Sequence, residues 1–66
     1  MQIRFYGRDH DETIQFESGI SVREALVKAN IHPSTVIVST DEDIIPHSAI
    51  IKSSVELKVI TVSSGG

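Results

Sequence analysis

Hydrophobic and polar residues alternate near the start of the chain, which is the pattern of half-buried β-strands. Residues 1–6 and residues 12–16 both alternate in this way, and a polar, turn-forming segment of residues 7–11 separates them. Two such runs so close together predict a β-hairpin. The apolar side chains that we expect to point inward are Met1, Ile3, Phe5, Ile14 and Phe16.

The segment after the hairpin changes to the period of an amphipathic α-helix. Ser21 and Glu24 have the spacing of a capping box, which predicts where the helix begins. Asn30 suits a left-handed exit from a helix, and Pro33 prevents any continuation. The predicted helix therefore covers residues 22–29. Its apolar stripe, at positions i, i+3, i+4 and i+7, consists of Val22, Ala25, Leu26 and Ala29.

The second half of the chain predicts three further strands. Residues 36–40 are rich in β-branched side chains, and residues 44–45 form a short strand before Pro46. Proline cannot donate to a ladder, so this short strand suits the edge of a sheet. Residues 55–62 form the longest predicted strand. We expect a turn at residues 41–43 and a crossing segment through Ile50 and Ile51. In the last strand, the side chains expected to point inward are Val55, Leu57 and Val59.

The predicted order is thus hairpin, helix, strand, short strand and long strand. One helix with one apolar stripe can cover one face of a sheet, so we expect a two-layer α+β domain. The last strand is long and apolar enough to be central, which suggests that it lies beside the first. We expect a folded domain at residues 1–62 and a flexible tail at residues 63–66.

Composition narrows the range of functions. The chain has 66 residues, no cysteine and a net charge of −3. This acidic balance argues against nucleic acid or an anionic membrane as the main partner. His10, His32 and His47 are too widely spaced for a zinc site, so we expect no bound metal. The first residues lack the pattern of a signal peptide, and we expect a cytoplasmic monomer.

The chain finishes with Ser63, Ser64, Gly65 and Gly66, directly after the last predicted strand. Glycine has no Cβ and reaches backbone conformations closed to other residues, so such a tail can pass through a narrow channel in another protein. The reactive group would then be the carboxylate of Gly66, with the fold as its handle. The alternative, from the tail alone, is an ordinary disordered terminus.

Several segments in this order carry a resemblance to known proteins: residues 21–26, 36–38, 44–46 and 55–60, followed by the diglycine. They resemble the ubiquitin-like β-grasp proteins, and more narrowly their sulfur-carrier branch of ThiS, MoaD, the ubiquitin-related modifier and the small archaeal modifier proteins. The resemblance implies a mixed sheet of four to five strands covered by one main helix. Two features differ from many relatives. The turn is Asp41-Glu42-Asp43 in place of Asn-Gly or Asp-Gly, and the tail is Val-Ser-Ser-Gly-Gly in place of Val-Ala-Gly-Gly or Val-Gly-Gly-Gly.

The resemblance also implies a chemistry for the tail. In such proteins an ATP-dependent activating enzyme of the ubiquitin-activating type adenylates the terminal carboxylate, here Gly66, while Gly65 provides the geometry. A sulfur donor then forms a thiocarboxylate that feeds tRNA thiolation, thiamine or molybdopterin synthesis, or target lysines capture the acyl group. The chain would be a substrate and carrier with no bound cofactor, and ATP would belong to the enzyme.

A docking surface is expected on the sheet face opposite the core. The last strand places Glu56, Lys58, Ile60 and Val62 on that face, and Arg4 and Tyr6 join them if the first strand is its neighbour. Ile60, Val62 and Tyr6 would form an apolar patch beside the tail, with Lys58 among them, and this patch is a candidate partner site. Ordinary surface exposure of β-branched residues is the alternative. The alternative function is a β-grasp interaction module that binds through this face and is never activated.

Overall fold

The computed structural model describes residues 1–41 and 43–62 and confirms the predicted order of elements. A hairpin, one α-helix, two strands and a long final strand follow one another as predicted, with one additional two-residue strand before the helix and another before the final strand. The elements are β1 (Gln2–Tyr6), β2 (Asp11–Gln15), β3 (Ile20–Ser21), α1 (Val22–Lys28), a 3-10 helix (Pro33–Thr35), β4 (Val36–Ser39), β5 (Ile44–Ile45), β6 (Ile50–Ile51) and β7 (Val55–Thr61).

The main sheet has five strands in the order β2-β1-β7-β4-β5. β1 and β7 are parallel, and the other pairs are antiparallel, so the sheet is mixed. β7, the longest strand, lies in the centre beside β1, as the sequence predicts. The short strand before Pro46 lies at an edge, also as predicted. This architecture is a β-grasp fold of the α+β class.

Helix α1 begins at its predicted cap. The Ser21 hydroxyl oxygen accepts a hydrogen bond from the Glu24 backbone N–H at 3.1 Å, which satisfies a donor that the first turn leaves free. The Glu24 carboxylate accepts a bond from the Ser21 hydroxyl at 3.3 Å. At the other end Ala29 is the C-cap, and Asn30 has a φ of 63°, so the left-handed exit is confirmed.

The core lies between α1 and one face of the main sheet. Its buried members are Ile3, Phe5, Phe16, Ile20, Val22, Ala25, Leu26, Ala29, Ile31, Val36, Val38, Leu57 and Val59. One inward expectation needs correction: the Met1 side chain is 46% exposed. Ile14 and Val55 are partly buried and pack against the core, as expected. Phe16 is buried but lies just beyond β2, where its N–H donates to the Met1 carbonyl oxygen.

A second, two-stranded sheet was not expected. The predicted crossing segment forms β6, which pairs with β3 so that Ile51 lies opposite Ile20. Two backbone hydrogen bonds continue this contact into the helix, from Val22 N–H to the Ala49 carbonyl and from Arg23 N–H to that of His47. These long-range bonds satisfy amides in the first turn of α1. In the described part of the chain, no helix is both long and apolar enough to cross a membrane.

Candidate functional site

Val62, the residue from which the predicted tail continues, is hydrogen-bonded to a second part of the fold. β7 ends at Thr61, and the N–H of Val62 then donates to the Thr35 carbonyl oxygen at 2.9 Å. Thr35 is the last residue of the 3-10 helix that leads into β4. The predicted tail, with Gly65 and Gly66, lies outside the described residues.

The turn between β1 and β2 packs against the end of β7. A Cβ atom on Gly7 would overlap the carbonyl oxygen of Val59, so the two backbones approach as closely as a glycine permits. His10 Nε2 lies 3.3 Å from Thr61 Oγ1, within hydrogen-bonding distance. The predicted hairpin therefore does more than complete the sheet, because its turn stands beside the point where the tail begins.

The sheet face opposite the helix is open and carries the predicted docking residues. The parallel register places Arg4 beside Glu56 and Tyr6 beside Lys58. Ile60 lies two residues further along β7 and is 41% exposed. The shared face that the sequence predicts is therefore present for these residues. Val62 follows the strand and is 37% exposed, and the binding role of the set stays a prediction.

Two isoleucines that the sequence reasoning did not assign extend this face toward the other edge. Ile37 of β4 lies opposite Ile60, and Ile44 of β5 lies opposite Ser39. Ile44 is 70% exposed, which makes it the most exposed large hydrophobic residue described. The alternation in β4 could have identified Ile37, since Val36 and Val38 point inward. From here on, the name apolar patch refers to Ile37, Ile44 and Ile60, which share only Ile60 with the set expected from the sequence.

The other half of the open face is charged. Arg4 donates from Nη1 to Glu56 Oε2 at 3.0 Å and from Nη2 to Asp11 Oδ1 at 3.5 Å. Its guanidinium also lies 5.9 Å from the centre of the Tyr6 ring. The hydrogen bond to Glu56 and the charge of Asp11 raise the pKa of Arg4, so its side chain stays positively charged. Tyr6 thus lies beside this charged network, next to Lys58.

A cleft of about 340 Å³ lies next to both halves, at the base of the tail. The β1–β2 turn forms one wall and the outer part of β7 the other. Its lining residues are Arg8, Asp9, Lys58, Val59, Ile60 and Thr61. Elsewhere, residues 1–41 and 43–62 contain no buried polar or charged side chain and no cluster of three or more potential metal ligands.

A comparison with protein families identifies the family of this chain. The ThiS family matches residues 2–66, which is almost the entire chain and includes the diglycine. None of the curated proteins gives a significant match. ThiS family proteins are small sulfur carriers rather than enzymes, and they interact in general with adenylating and sulfur-accepting enzymes. With a β-grasp fold and a family match over nearly its full length, the chain belongs to the ThiS family.

Proposed function

We propose that this chain carries sulfur as a thiocarboxylate on Gly66. The observation that supports this proposal most directly is the extent of the family match, which continues through Gly65 and Gly66. The position of Ile60 near the end of β7 supports it further, because a protein that covers the apolar patch would lie near Val62, from which residues 63–66 continue. The reactive group is a main-chain carboxylate, and the folded domain presents it.

The first proposed step is adenylation. A carboxylate is a poor electrophile because its leaving group would be oxide. In an activating enzyme of the ubiquitin-activating type, a Gly66 carboxylate oxygen attacks the α-phosphorus of ATP, and pyrophosphate leaves. The product is an acyl-adenylate, whose leaving group is AMP. ATP and the residues that bind it belong to the enzyme.

The second proposed step transfers sulfur. A donor at the oxidation level of sulfide attacks the acyl carbon of Gly66, the bond to AMP breaks, and a thiocarboxylate forms. An acceptor enzyme then uses this sulfur for tRNA thiolation, thiamine or molybdopterin synthesis. If a lysine amine of a target protein attacks instead, the product is an isopeptide and the chain acts as a modifier.

The folded domain contributes position and binding energy. Contacts at a remote surface can hold a reacting group in place and so lower the entropic part of the barrier. Residues 63–66 reach at most about 14 Å beyond Val62, at ~3.5 Å per residue. The α-phosphate must therefore lie within this distance of the anchored end of β7. An enzyme that docks on the open face satisfies this limit, because Ile60 and Lys58 lie immediately before that end.

Mass spectrometry of the protein from its native cells tests the proposal, both on the intact chain and on digests of total lysate. We expect an intact mass in which one oxygen is replaced by sulfur. Treatment with an alkylating reagent should then increase this mass by one alkyl group, because the thiocarboxylate sulfur becomes alkylated. Target lysines with the C-terminal remnant would instead establish the modifier role. Unmodified Gly66 alone, in cells where the protein is abundant, would favour the interaction module that is not activated.

A further inference from the structure

The cleft at the base of the tail differs in charge from the rest of the chain. Its lining residues include Arg8, Lys58 and Asp9, so two positive residues and one negative residue border the cleft. The chain as a whole has a net charge of −3. A local positive site on an acidic protein attracts anionic groups to that point and not to the surface in general.

The two positive side chains of the cleft make no ion pair with any residue that the structure describes. Arg4, the other cation of the open face, is held by Glu56 and Asp11. Among the residues that the structure describes, Arg8 and Lys58 form no ion pair, and Asp9 in the same cleft does not bridge to either. The two side chains therefore remain available to a ligand on the side of the face that adjoins the tail.

We propose that this cleft receives a carboxylate side chain of the adenylating enzyme, which is placed between Arg8 and Lys58 while apolar side chains of that enzyme cover the apolar patch. The inference rests on the proposed function, since it concerns the protein that docks on the open face. It adds Arg8, which the sequence reasoning did not single out, and it specifies the chemistry of the partner: an apolar centre with an acidic residue at its margin.

The lining of the cleft favours a protein carboxylate over a free phosphate. Ile60 belongs both to the cleft and to the apolar patch, so a ligand that fills the cleft lies next to exposed hydrophobic surface. A protein interface provides both kinds of contact at once, with an apolar core and a charged margin. A phosphate ion would satisfy the cations and leave Ile60, Ile37 and Ile44 exposed to water.

This arrangement would orient the complex. The apolar patch is not directional, whereas an ion pair at one end of the face fixes which way the partner lies. Because the cleft is at the base of the tail, the acidic residue would lie next to the channel of the enzyme that receives residues 63–66. Asp9, at the same margin, would repel an enzyme whose acidic residue is displaced along the turn.

The test uses the full chain and the adenylating enzyme purified from the same organism by its ATP–pyrophosphate exchange on this chain. One variant reverses both cations, Arg8→Glu with Lys58→Glu. The matched control is Arg23→Glu with Lys52→Glu, which changes the net charge equally at exposed positions on α1 and after β6. Thermal unfolding of each variant verifies the fold. Binding is measured by titration calorimetry at several salt concentrations, and exchange rates are measured at saturating carrier.

We expect the Arg8 and Lys58 reversals to weaken binding about tenfold or more. Wild-type binding should weaken as salt screens the attractive charge pairs, whereas binding of the reversal variant should strengthen with salt, because salt then screens a repulsion between like charges. The control pair should remain within about twofold of the wild type, and exchange at saturation should persist in both. Equal binding by the two variants would overturn the inference while leaving the proposed function intact. Saturable binding of inorganic phosphate to the free chain, seen by NMR shifts at Arg8 and Lys58, would also overturn it. Failure to find any exchange activity on the wild-type chain would overturn both.

Discussion

The backbone N–H of Val62 donates to the carbonyl oxygen of Thr35, and this bond ties the end of β7 to the segment that enters β4. Val62 is the last residue before the described part of the chain stops. The strand pairing of β4 with β7 therefore extends, through this bond, up to the residue that precedes Ser63. The point from which residues 63–66 continue is therefore fixed by the central strand.

Gly66→Ala should strongly reduce activation. A side chain at this position widens the tail and restricts its dihedral angles, so it hinders passage through a narrow channel to ATP. We expect the rate of ATP–pyrophosphate exchange to fall about a hundredfold, the scale of loss that small misplacements of a reacting group produce. Binding of the globular domain, measured by calorimetry, should change little.

Ser63→Ala is the matched control for that substitution, since it changes a side chain at the other end of the same segment and adds no bulk. Its exchange rate should stay close to that of the wild type. A wild-type rate of ATP–pyrophosphate exchange in the Gly66→Ala variant would contradict the main prediction about the tail. Deletion of Gly65 and Gly66 together should abolish activation and spare binding through the open face.

Ile60→Asp should weaken binding to the activating enzyme while leaving the fold intact. Ile60 is exposed in the apolar patch, so an aspartate there remains hydrated in the free chain but would be buried without a partner in the complex. We expect Kd to rise about tenfold or more in titration calorimetry. Val27→Asp is the control, because Val27 is 61% exposed on α1, in the other layer. Equal binding by the two variants would count against the patch.

Most of the fold follows from local pattern. The capped helix, the hairpin and the central position of β7 are correct because each depends on periodicity, capping or strand length within one segment. The small sheet of β3 and β6 was missed for the opposite reason. Ile20 and Ile51 are thirty-one positions apart, and two-residue strands have no period of their own. Met1 was misassigned because alternation gives the face of a residue but not whether other residues cover it: its carbonyl oxygen still accepts from Phe16 N–H, yet its side chain is 46% exposed.

The candidate site was only partly visible in the sequence. Tyr6, Lys58 and Ile60 share the open face because strand alternation and the choice of neighbour were both correct. Ile44 and Arg8 were missed because their roles depend on register and on the path of a turn. Ile44 reaches the face only through its pairing with Ser39, and Arg8 lines the cleft only because Gly7 lets the turn approach Val59.

Arg4→Met should change the free energy of unfolding by the same small amount at every pH between about 6 and 9. The bond to Glu56 and the charge of Asp11 raise the pKa of Arg4 in the folded protein. A group whose pKa rises on folding stabilises the fold below its unfolded pKa and loses this contribution only as pH rises through the folded pKa. For arginine that window lies far above neutral pH. Urea unfolding at several pH values measures this, and a difference that varies across the range would contradict it.

Gly7→Ala should destabilise the fold and disturb the surface beside the tail. The added Cβ would overlap the Val59 carbonyl oxygen. This oxygen belongs to the backbone of a central strand, so it cannot rotate away as a side-chain atom can. The turn must therefore move, at a cost of about 1–3 kcal/mol in the free energy of unfolding. Gly19→Ala is the control. Its Cβ would meet Ile50 Cγ2 at 3.1 Å, and that side chain is exposed and can shift.

Urea unfolding of the two alanine variants separates backbone contact from a general effect of losing glycine. Replacing glycine also reduces the entropy of the unfolded chain, which stabilises a compatible site by about 0.4–1 kcal/mol. Gly19→Ala should therefore be near neutral, whereas Gly7→Ala should lose stability. Because Arg8 follows Gly7 directly, the same shift should move one wall of the cleft and weaken enzyme binding. Equal stability of both variants would mean that the turn is not held against Val59.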